Sequence, residues 1–231
     1  MKYNLYAKIT ILTVSTIVSL YGILEIVLRC YTKANSAFVL MPDDTYLRYR
    51  GKPHSSEFNG FRLNSRGYKD EEFNTIKKPG VFRIIGIGDS HTYGAVPYQY
   101  CYITLLKKKI MLVDNDCEVL NLGIPAAGPV DYLSLFVNEG VSLHPDMVLV
   151  NIFTGDDFDF RLPNRILARE FNRLEIEYLD LLDFFLDSFK NNMKSFNKPN
   201  DPHWNLYGNR FAVELVNPWL LKQINRKRNR V

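Results

Sequence analysis

The distribution of hydrophobic residues divides the chain into one continuous apolar segment and a longer body in which apolar and polar residues alternate. The apolar segment covers residues 9–28, and thirteen of its twenty residues are Ile, Leu, Val or Tyr. As a helix it would be about 30 Å long, which matches the hydrocarbon thickness of a bilayer. Its one charged residue, Glu25, lies four residues before Arg29, a spacing that favours an ion pair. The pattern predicts a single membrane-spanning helix.

Two other interpretations of this segment remain open. A cleaved signal peptide also contains an apolar run, and residues 34–36 offer a loose small-residue cleavage site before Ala37. A buried helix of a soluble protein is the third interpretation. A lipid anchor on Cys30 is disfavoured, because the bulky, charged Arg29 precedes it where a small residue is needed. Basic residues flank both ends of the segment, so the positive-inside rule does not assign its orientation.

The segment that follows, residues 31–78, lacks a sustained helical period. It contains turn-forming pairs, among them Asn59-Gly60 and Arg66-Gly67. We expect an extended, turn-rich lead-in rather than an independent domain. The predicted organisation is therefore an N-terminal anchor over residues 1–30, this lead-in, and a folded domain over residues 79–231.

From residue 81 onwards, strand-like and helix-like segments alternate. Short apolar runs bounded by turn residues predict strands at 81–87, 118–122, 147–153 and 177–181. Segments with apolar residues at helical spacing predict helices at 98–113, 130–139, 162–173, 182–196 and 208–224. Strands that alternate with helices are typical of a parallel sheet with helices on both of its faces. We therefore predict an α/β domain with right-handed crossovers.

Composition and charge narrow the range of functions. The chain has 29 basic and 25 acidic residues and a net charge of +4. Four of the basic residues lie in the last six positions, so the rest of the chain carries equal numbers of each sign. A neutral body lacks the broad basic face that nucleic-acid binding requires, and we expect no nucleic-acid partner. The basic tail is interpreted as a solvated end, with contact to anionic lipid or phosphate as the alternative.

The three cysteines, Cys30, Cys101 and Cys117, form neither a disulfide framework nor a metal-binding pattern. None lies in a CxxC pair or in a cluster with histidine. The helix predicted between Cys101 and Cys117 separates them by about 15 Å, which is too far for a disulfide. We expect all three to be unpaired and expect no metal site.

Four separate segments place chemically useful residues at one edge of the predicted sheet. Ser90 follows the first strand, Ala126 the second and Asp156 the third. Asp201 and His203 lie in a proline-rich loop before the last helix. In open α/β sheets, sites form where the carboxyl ends of strands meet. The sequence therefore predicts a functional site at this edge.

These segments resemble, in order, the characteristic blocks of the SGNH (GDSL-type) hydrolases and acyltransferases. The matching segments are Gly88-Asp89-Ser90, residues 121–128, Gly155-Asp156-Asp157 and residues 201–205, which read DPHWN. Residues 63–70 are also similar to a segment that precedes the serine block in membrane-anchored and extracytoplasmic members. The resemblance implies a three-layer α/β/α fold with a parallel, flavodoxin-like sheet. It also implies a single-pass membrane protein whose hydrolase domain is extracytoplasmic.

The reaction that the resemblance implies is acyl transfer. Ser90 would be the nucleophile, His203 the general base and acid, and Asp201 the group that holds the imidazole tautomer. The oxyanion would be bound by the Ser90 amide, the amide of residue 126 and the side chain of residue 156. The substrate would be an ester or other acyl-bearing compound, such as an acylated carbohydrate or polysaccharide. The family uses neither a metal nor a nucleotide cofactor.

Three features depart from the family pattern. Ala126 stands where the family has glycine, which matters if the position requires a positive φ. Asp156 stands where the family has asparagine, and an ionised carboxylate cannot donate a hydrogen bond to an oxyanion. Only a short stretch separates Asp157 from the strand predicted at 177–181. One strand–helix unit is therefore expected to be missing from the sheet.

Two functions remain in competition. The first is a membrane-anchored serine esterase or O-acyltransferase. The second is a catalytically impaired module that binds a glycan or a membrane partner, motivated by Ala126, Asp156 and the missing strand–helix unit. A purely structural anchor would leave the Ser, Asp and His segments unexplained. Structural interpretations also exist for single residues: Ser90 as a helix N-cap, His203 and Asp156 as loop residues, and His91 as a neighbour that points away from Ser90.

Overall fold

The computed structural model describes residues 2–34, 40–43, 45–153 and 164–229. The chain divides into two compact units, residues 1–38 and 39–231. The described part of the first unit is a single helix, α1 (Lys2–Ala34). Its segment Tyr6–Leu28 is long and apolar enough to cross a membrane, and none of it is buried. The apolar N-terminal helix predicted from the sequence is therefore present. A signal sequence would have the same length and apolar composition.

The second unit begins within the lead-in, whose part in this unit contains a short antiparallel hairpin. Its strands are β1 (Leu40–Pro42) and β2 (Tyr49–Gly51). After the hairpin, the lead-in packs against the rest of the unit through buried charged groups. The fully buried Lys69 ammonium donates to the carbonyl oxygens of Gly94 and Val96, both at 2.8 Å. The Asp70 carboxylate accepts a hydrogen bond of 2.9 Å from the backbone amide of Asn121.

Three parallel strands form the described sheet of the second unit. They are β3 (Phe82–Ile87), β4 (Cys117–Asn121) and β5 (Met147–Val150), in the order β4-β3-β5. Ile84 of the central strand lies opposite Val119 on one side and Met147 on the other. Every residue of β3 is buried, as is typical of a strand covered on both faces. The predicted mixed α/β fold with a parallel sheet is confirmed.

In this unit, two of the described α-helices follow β3, one follows β4 and three follow β5. They are α2 (Ser90–Tyr93), α3 (Tyr102–Met111), α4 (Pro129–Leu135), α5 (Asn164–Arg173), α6 (Leu182–Asn192) and α7 (Leu206–Arg228). Successive strand residues point to opposite faces of the sheet, and each face has its own apolar cluster. Ile84 packs with residues of α3 and α7 on one face of the sheet. Ile85 packs on the other face with Tyr68 of the lead-in and Tyr132 of α4.

The strand predicted at 177–181 is wrong. That segment forms no strand, and Leu179 and Leu181 pack against the apolar cluster built on α3 and α7. Strand propensity reflects side-chain packing more than an intrinsic backbone preference, and here the apolar side chains find burial without a sheet edge. The third predicted strand is also shorter than expected, because β5 ends at Val150 rather than at residue 153.

Two predicted helices differ in their internal geometry, and a third, α6, ends at Asn192 rather than at residue 196. In place of a continuous helix over 98–113, a 3₁₀ turn covers Tyr98–Tyr100 and α3 begins only at Tyr102. Cys101 between them is extended, with a ψ of 138°, and its sulfur occupies the space beside Gly94, where a Cβ would lie only 2.2 Å away. The helix predicted at 130–139 is α-helical to Leu135 and then π-helical over Phe136–Gly140. All three cysteines are free, as predicted.

Candidate active site

Ser90 is the first residue of α2 and directly follows the tight turn after β3. Asp89 is the N-cap of α2, and its carboxylate accepts a hydrogen bond of 2.8 Å from the His91 amide. A Cβ on Gly88 would lie 2.2 Å from Thr92 Oγ1 and 3.0 Å from the Asn151 carbonyl oxygen, so only glycine fits there. The turn leaves the Ser90 side chain partly exposed at the carboxyl edge of the sheet, where the sequence placed it.

His203 lies in the loop before α7. Hydrogen bonds between residues close in sequence hold this loop closed. The Lys198 amide donates to the His203 carbonyl oxygen at 3.0 Å. The His203 amide donates to Asp201 Oδ1 at 2.8 Å. Asn205 is the N-cap of α7, where its side chain accepts from the Gly208 amide at 2.9 Å. The motif therefore builds its own local scaffold for the histidine.

The structure brings Ser90, His203 and Asp201 together in one hydrogen-bonded chain. His203 Nε2 lies 2.8 Å from Ser90 Oγ, and His203 Nδ1 lies 2.5 Å from Asp201 Oδ1. The hydrogen bond from the His203 backbone amide lowers the pKa of Asp201, with a further contribution from the imidazole. An ionised carboxylate only accepts, so Nδ1 carries the donated proton and Nε2 is left to accept from the Ser90 hydroxyl. This arrangement is suited to removing a proton from Ser90.

His91 is adjacent to Ser90 in sequence but is directed away from it. Its ring is buried 4.3 Å from the Phe153 ring and 5.3 Å from the rings of His203 and Trp204, between centroids. Its Nδ1 lies 3.4 Å from Asp89 Oδ2. The indole of Trp204 is stacked on the Phe185 ring, with 5.3 Å between the ring centroids. The imidazole within hydrogen-bond distance of Ser90 Oγ is therefore that of His203.

Ala126 adopts the left-handed backbone conformation, with a φ of 62°. This conformation costs an alanine roughly 1–2 kcal/mol relative to the right-handed one, a cost that glycine avoids. The loop that carries it is tied to the Ser90 turn, because the Ile124 amide donates to the Gly88 carbonyl oxygen at 3.0 Å. Among the described residues, neither the Ser90 amide nor the Ala126 amide has a hydrogen-bond partner. Both N–H groups are thus available to a ligand.

Asp156, the remaining residue of the predicted site, lies outside the described residues. Sequence reasoning also missed two charged residues of the lead-in that support the site, Arg48 and Lys69. Lys69 holds the segment after α2 through Gly94 and Val96. Charged side chains in a turn-rich segment are usually solvated. For Lys69, the one available indication was the resemblance of residues 63–70 to a segment that precedes the serine block in SGNH hydrolases.

The described residues contain no group of three or more His, Cys, Asp or Glu side chains that could hold a metal ion. Comparison of the chain with protein-family models finds no match, and comparison with curated proteins finds no significant match. The interpretation of the site therefore depends on its own residues and their geometry.

Proposed function

We propose that this protein is a membrane-anchored, SGNH-like serine esterase or O-acyltransferase. The observation that carries the proposal is the hydrogen-bonded chain from Ser90 Oγ through the His203 imidazole to Asp201. Three residue types from two distant segments meet in the order that activates a serine. A helix N-cap or a structural histidine does not require this arrangement.

In the proposed reaction, Ser90 Oγ attacks the carbonyl carbon of an ester while His203 Nε2 takes the hydroxyl proton. The Asp201 carboxylate stabilises the imidazolium that forms. The Ser90 and Ala126 amides donate to the oxyanion of the tetrahedral intermediate. The intermediate collapses by breaking the ester C–O bond, and the imidazolium gives its proton to the departing alkoxide oxygen. Water or an acceptor hydroxyl, deprotonated in turn by His203, then attacks the acyl carbon of acyl-Ser90. The bond between Ser90 Oγ and the acyl carbon breaks, Oγ takes the proton back from the imidazolium, and the acid or the new ester is released.

The proposal includes a fold and a location. The burial of β3 on both faces supports a three-layer α/β/α arrangement that is one strand–helix unit short. The apolar helix α1 supports a single-pass anchor over residues 9–28, with the hydrolase domain outside the cytoplasm. The substrate is an ester, and an acylated carbohydrate or polysaccharide is the class that the resemblance favours.

The test is covalent labelling of the full-length protein in detergent micelles with a fluorophosphonate probe, followed by peptide mass spectrometry. We expect one adduct, on Ser90, which disappears in Ser90→Ala and in His203→Ala. The matched control is His144→Asn, which changes an exposed histidine in a left-handed conformation that asparagine tolerates. This control should be labelled like the wild type.

A folded wild-type protein without an adduct would contradict the proposal. That result would favour the catalytically impaired module, and pull-downs with glycans or membrane partners would follow. An adduct on Ser90 that persists in His203→Ala would contradict the role of His203.

A further inference from the structure

Arg48 connects the lead-in to the loop that carries Ala126. It lies just before β2, and its Nη2 donates to the Ala126 carbonyl oxygen at 2.9 Å. The guanidinium is held in place by Asp131, whose Oδ2 accepts from Nη2 at 2.7 Å and from Nε at 3.1 Å. Asp131 is itself buried and also accepts from the Gly128 amide at 2.9 Å. One arginine therefore ties Ala126 to the start of α4.

The position of this contact matters because Ala126 has a φ of 62°. An alanine in this conformation tends to relax to a negative φ, and that rotation would reorient the peptide groups on both sides of the residue. The hydrogen bond from Arg48 fixes the Ala126 carbonyl oxygen and so opposes this rotation. The Ala126 N–H group therefore keeps its orientation. A glycine would need no such support, since it adopts positive φ readily.

We propose that Arg48 is a positioning residue that holds Ala126 in its left-handed conformation and thereby orients the Ala126 amide towards the oxyanion. This inference rests on the proposed function for its catalytic consequence, but the conformational part stands without it. Arg48 acts through Ala126 and does not touch the reacting atoms. Its side chain is 64% exposed and is neutralised by Asp131, so its main contribution is the position of the loop rather than its charge.

The kinetic test compares Arg48→Ala in two backgrounds, the natural chain and Ala126→Gly, in the full-length protein. With p-nitrophenyl acetate as the probe, we expect Arg48→Ala to lower kcat about tenfold in the natural chain, with KM changed by less than about twofold. In the Ala126→Gly background, the same substitution should lower kcat by less than about threefold, because glycine keeps the conformation unaided. Arg48→Lys, which keeps the charge but not the two-pronged contact, should behave like Arg48→Ala.

The matched control is Arg62→Ala. Arg62 Nε donates at 3.0 Å to the carbonyl oxygen of His54, another residue with positive φ (58°), in the lead-in. Removing it breaks the same kind of contact at a residue to which no catalytic role is given. We expect kcat within about twofold of the wild type.

A second measurement does not depend on activity. Hydrogen–deuterium exchange of the peptide that spans residues 122–128 should accelerate about tenfold in Arg48→Ala, and by less than about threefold when Ala126→Gly is also present. Equal losses of kcat in both backgrounds, recovery by Arg48→Lys, or unchanged exchange in this peptide would each overturn the inference. If the wild-type protein shows no turnover and no Ser90 labelling, the proposed function fails, and the exchange comparison alone decides whether Arg48 holds Ala126.

Discussion

Ser90 and His203 meet across 113 positions of sequence, yet the two segments that carry them are held in different ways. On the serine side, around Ser90, two glycines are packed so closely against neighbouring residues that neither position has room for a side chain. A Cβ added to Gly123 would lie 2.3 Å from the Tyr93 amide nitrogen, and a Cβ on Gly88 would collide with Thr92. The serine is therefore placed by long-range packing between β3, the loop after β4 and the lead-in.

On the histidine side, many of the hydrogen bonds that shape the loop join residues close in sequence, and the loop is partly exposed. His203 and Asp201 are two positions apart, and their side chains are 28% and 36% exposed. A single isolated bridge, between Asn197 and Trp204, closes the segment. The difference teaches that the two sides should respond differently to substitution. Changes around Ser90 should affect folding, whereas changes around His203 should affect chemistry with little effect on stability.

The largest effect is expected from removing either member of the Ser90–His203 pair. Ser90→Ala and His203→Ala should each lower the turnover of p-nitrophenyl acetate by about 10⁴-fold, because nucleophile and base act as one unit. For the same reason, the double variant should be no slower than either single variant. Steady-state kinetics measure this, with circular dichroism to establish that each variant is folded. Multiplicative losses in the double variant would show that the two side chains act in separate steps.

Asp201→Asn should lower kcat by about 10³-fold, because an amide neither stabilises the imidazolium nor selects the Nδ1–H tautomer. Since the loop is partly exposed, the midpoint of thermal unfolding should stay within about 2 °C of the wild type. Differential scanning fluorimetry beside the kinetic assay checks both parts. A large fall in the unfolding midpoint would mean that the histidine side is as structurally constrained as the serine side.

Gly123→Ala should lower the free energy of unfolding by about 3 kcal/mol, because the new methyl group meets backbone atoms of Thr92 and Tyr93 that cannot move independently. Gly128→Ala is the matched control in the same loop, where the nearest atom to a Cβ is Arg48 Nη2 at 3.8 Å. Its effect should be below about 1 kcal/mol. Urea denaturation, monitored by tryptophan fluorescence, measures the free energy of unfolding of both variants. Similar values for the two variants would contradict the crowding argued for the serine side.

The smallest effect is expected from the buried Glu139, which links the lead-in to the π-helical turn after α4. Burial raises the pKa of Glu139, but hydrogen bonds from Tyr46, Arg50, Arg66 and Tyr68 outweigh this and lower the pKa below its usual value of 4.5. The unfolded chain therefore takes up this proton at higher pH than the folded one. The stabilisation is present above about pH 4.5 and is lost as the pH falls through the lowered value in the folded state.

Urea denaturation at several pH values tests this linkage. Glu139→Gln should lower the free energy of unfolding by about 2 kcal/mol at pH 7, since it removes the anionic partner of Arg66 and one of the two anionic partners of Arg50. The difference from the wild type should shrink as the pH approaches 3. A difference that is constant with pH would indicate that packing rather than charge holds the lead-in at this point.

Parts of the fold and site could be predicted because they depend on local pattern. The apolar runs predicted β3 and β4 to within about one residue, and the position of Ser90 after β3 followed from them. The strand expected at 177–181 could not be excluded locally, because an alternating pattern does not reveal whether a sheet edge is available. Arg48 and Lys69 were missed for a related reason, since burial and hydrogen-bond partners of a charged side chain depend on distant segments.

By itself, the sequence determined the order of strands and helices from β3 to β5, the apolar N-terminal helix and the local hydrogen bonds that link Asp201 to His203. These depend on residue spacing and on neighbours within a few positions. Only the tertiary structure decided that His203, rather than the adjacent His91, meets Ser90, and that Arg48 supports a left-handed Ala126. Such contacts join segments far apart in sequence, and they form only when the sheet and the lead-in pack together and exclude the alternatives.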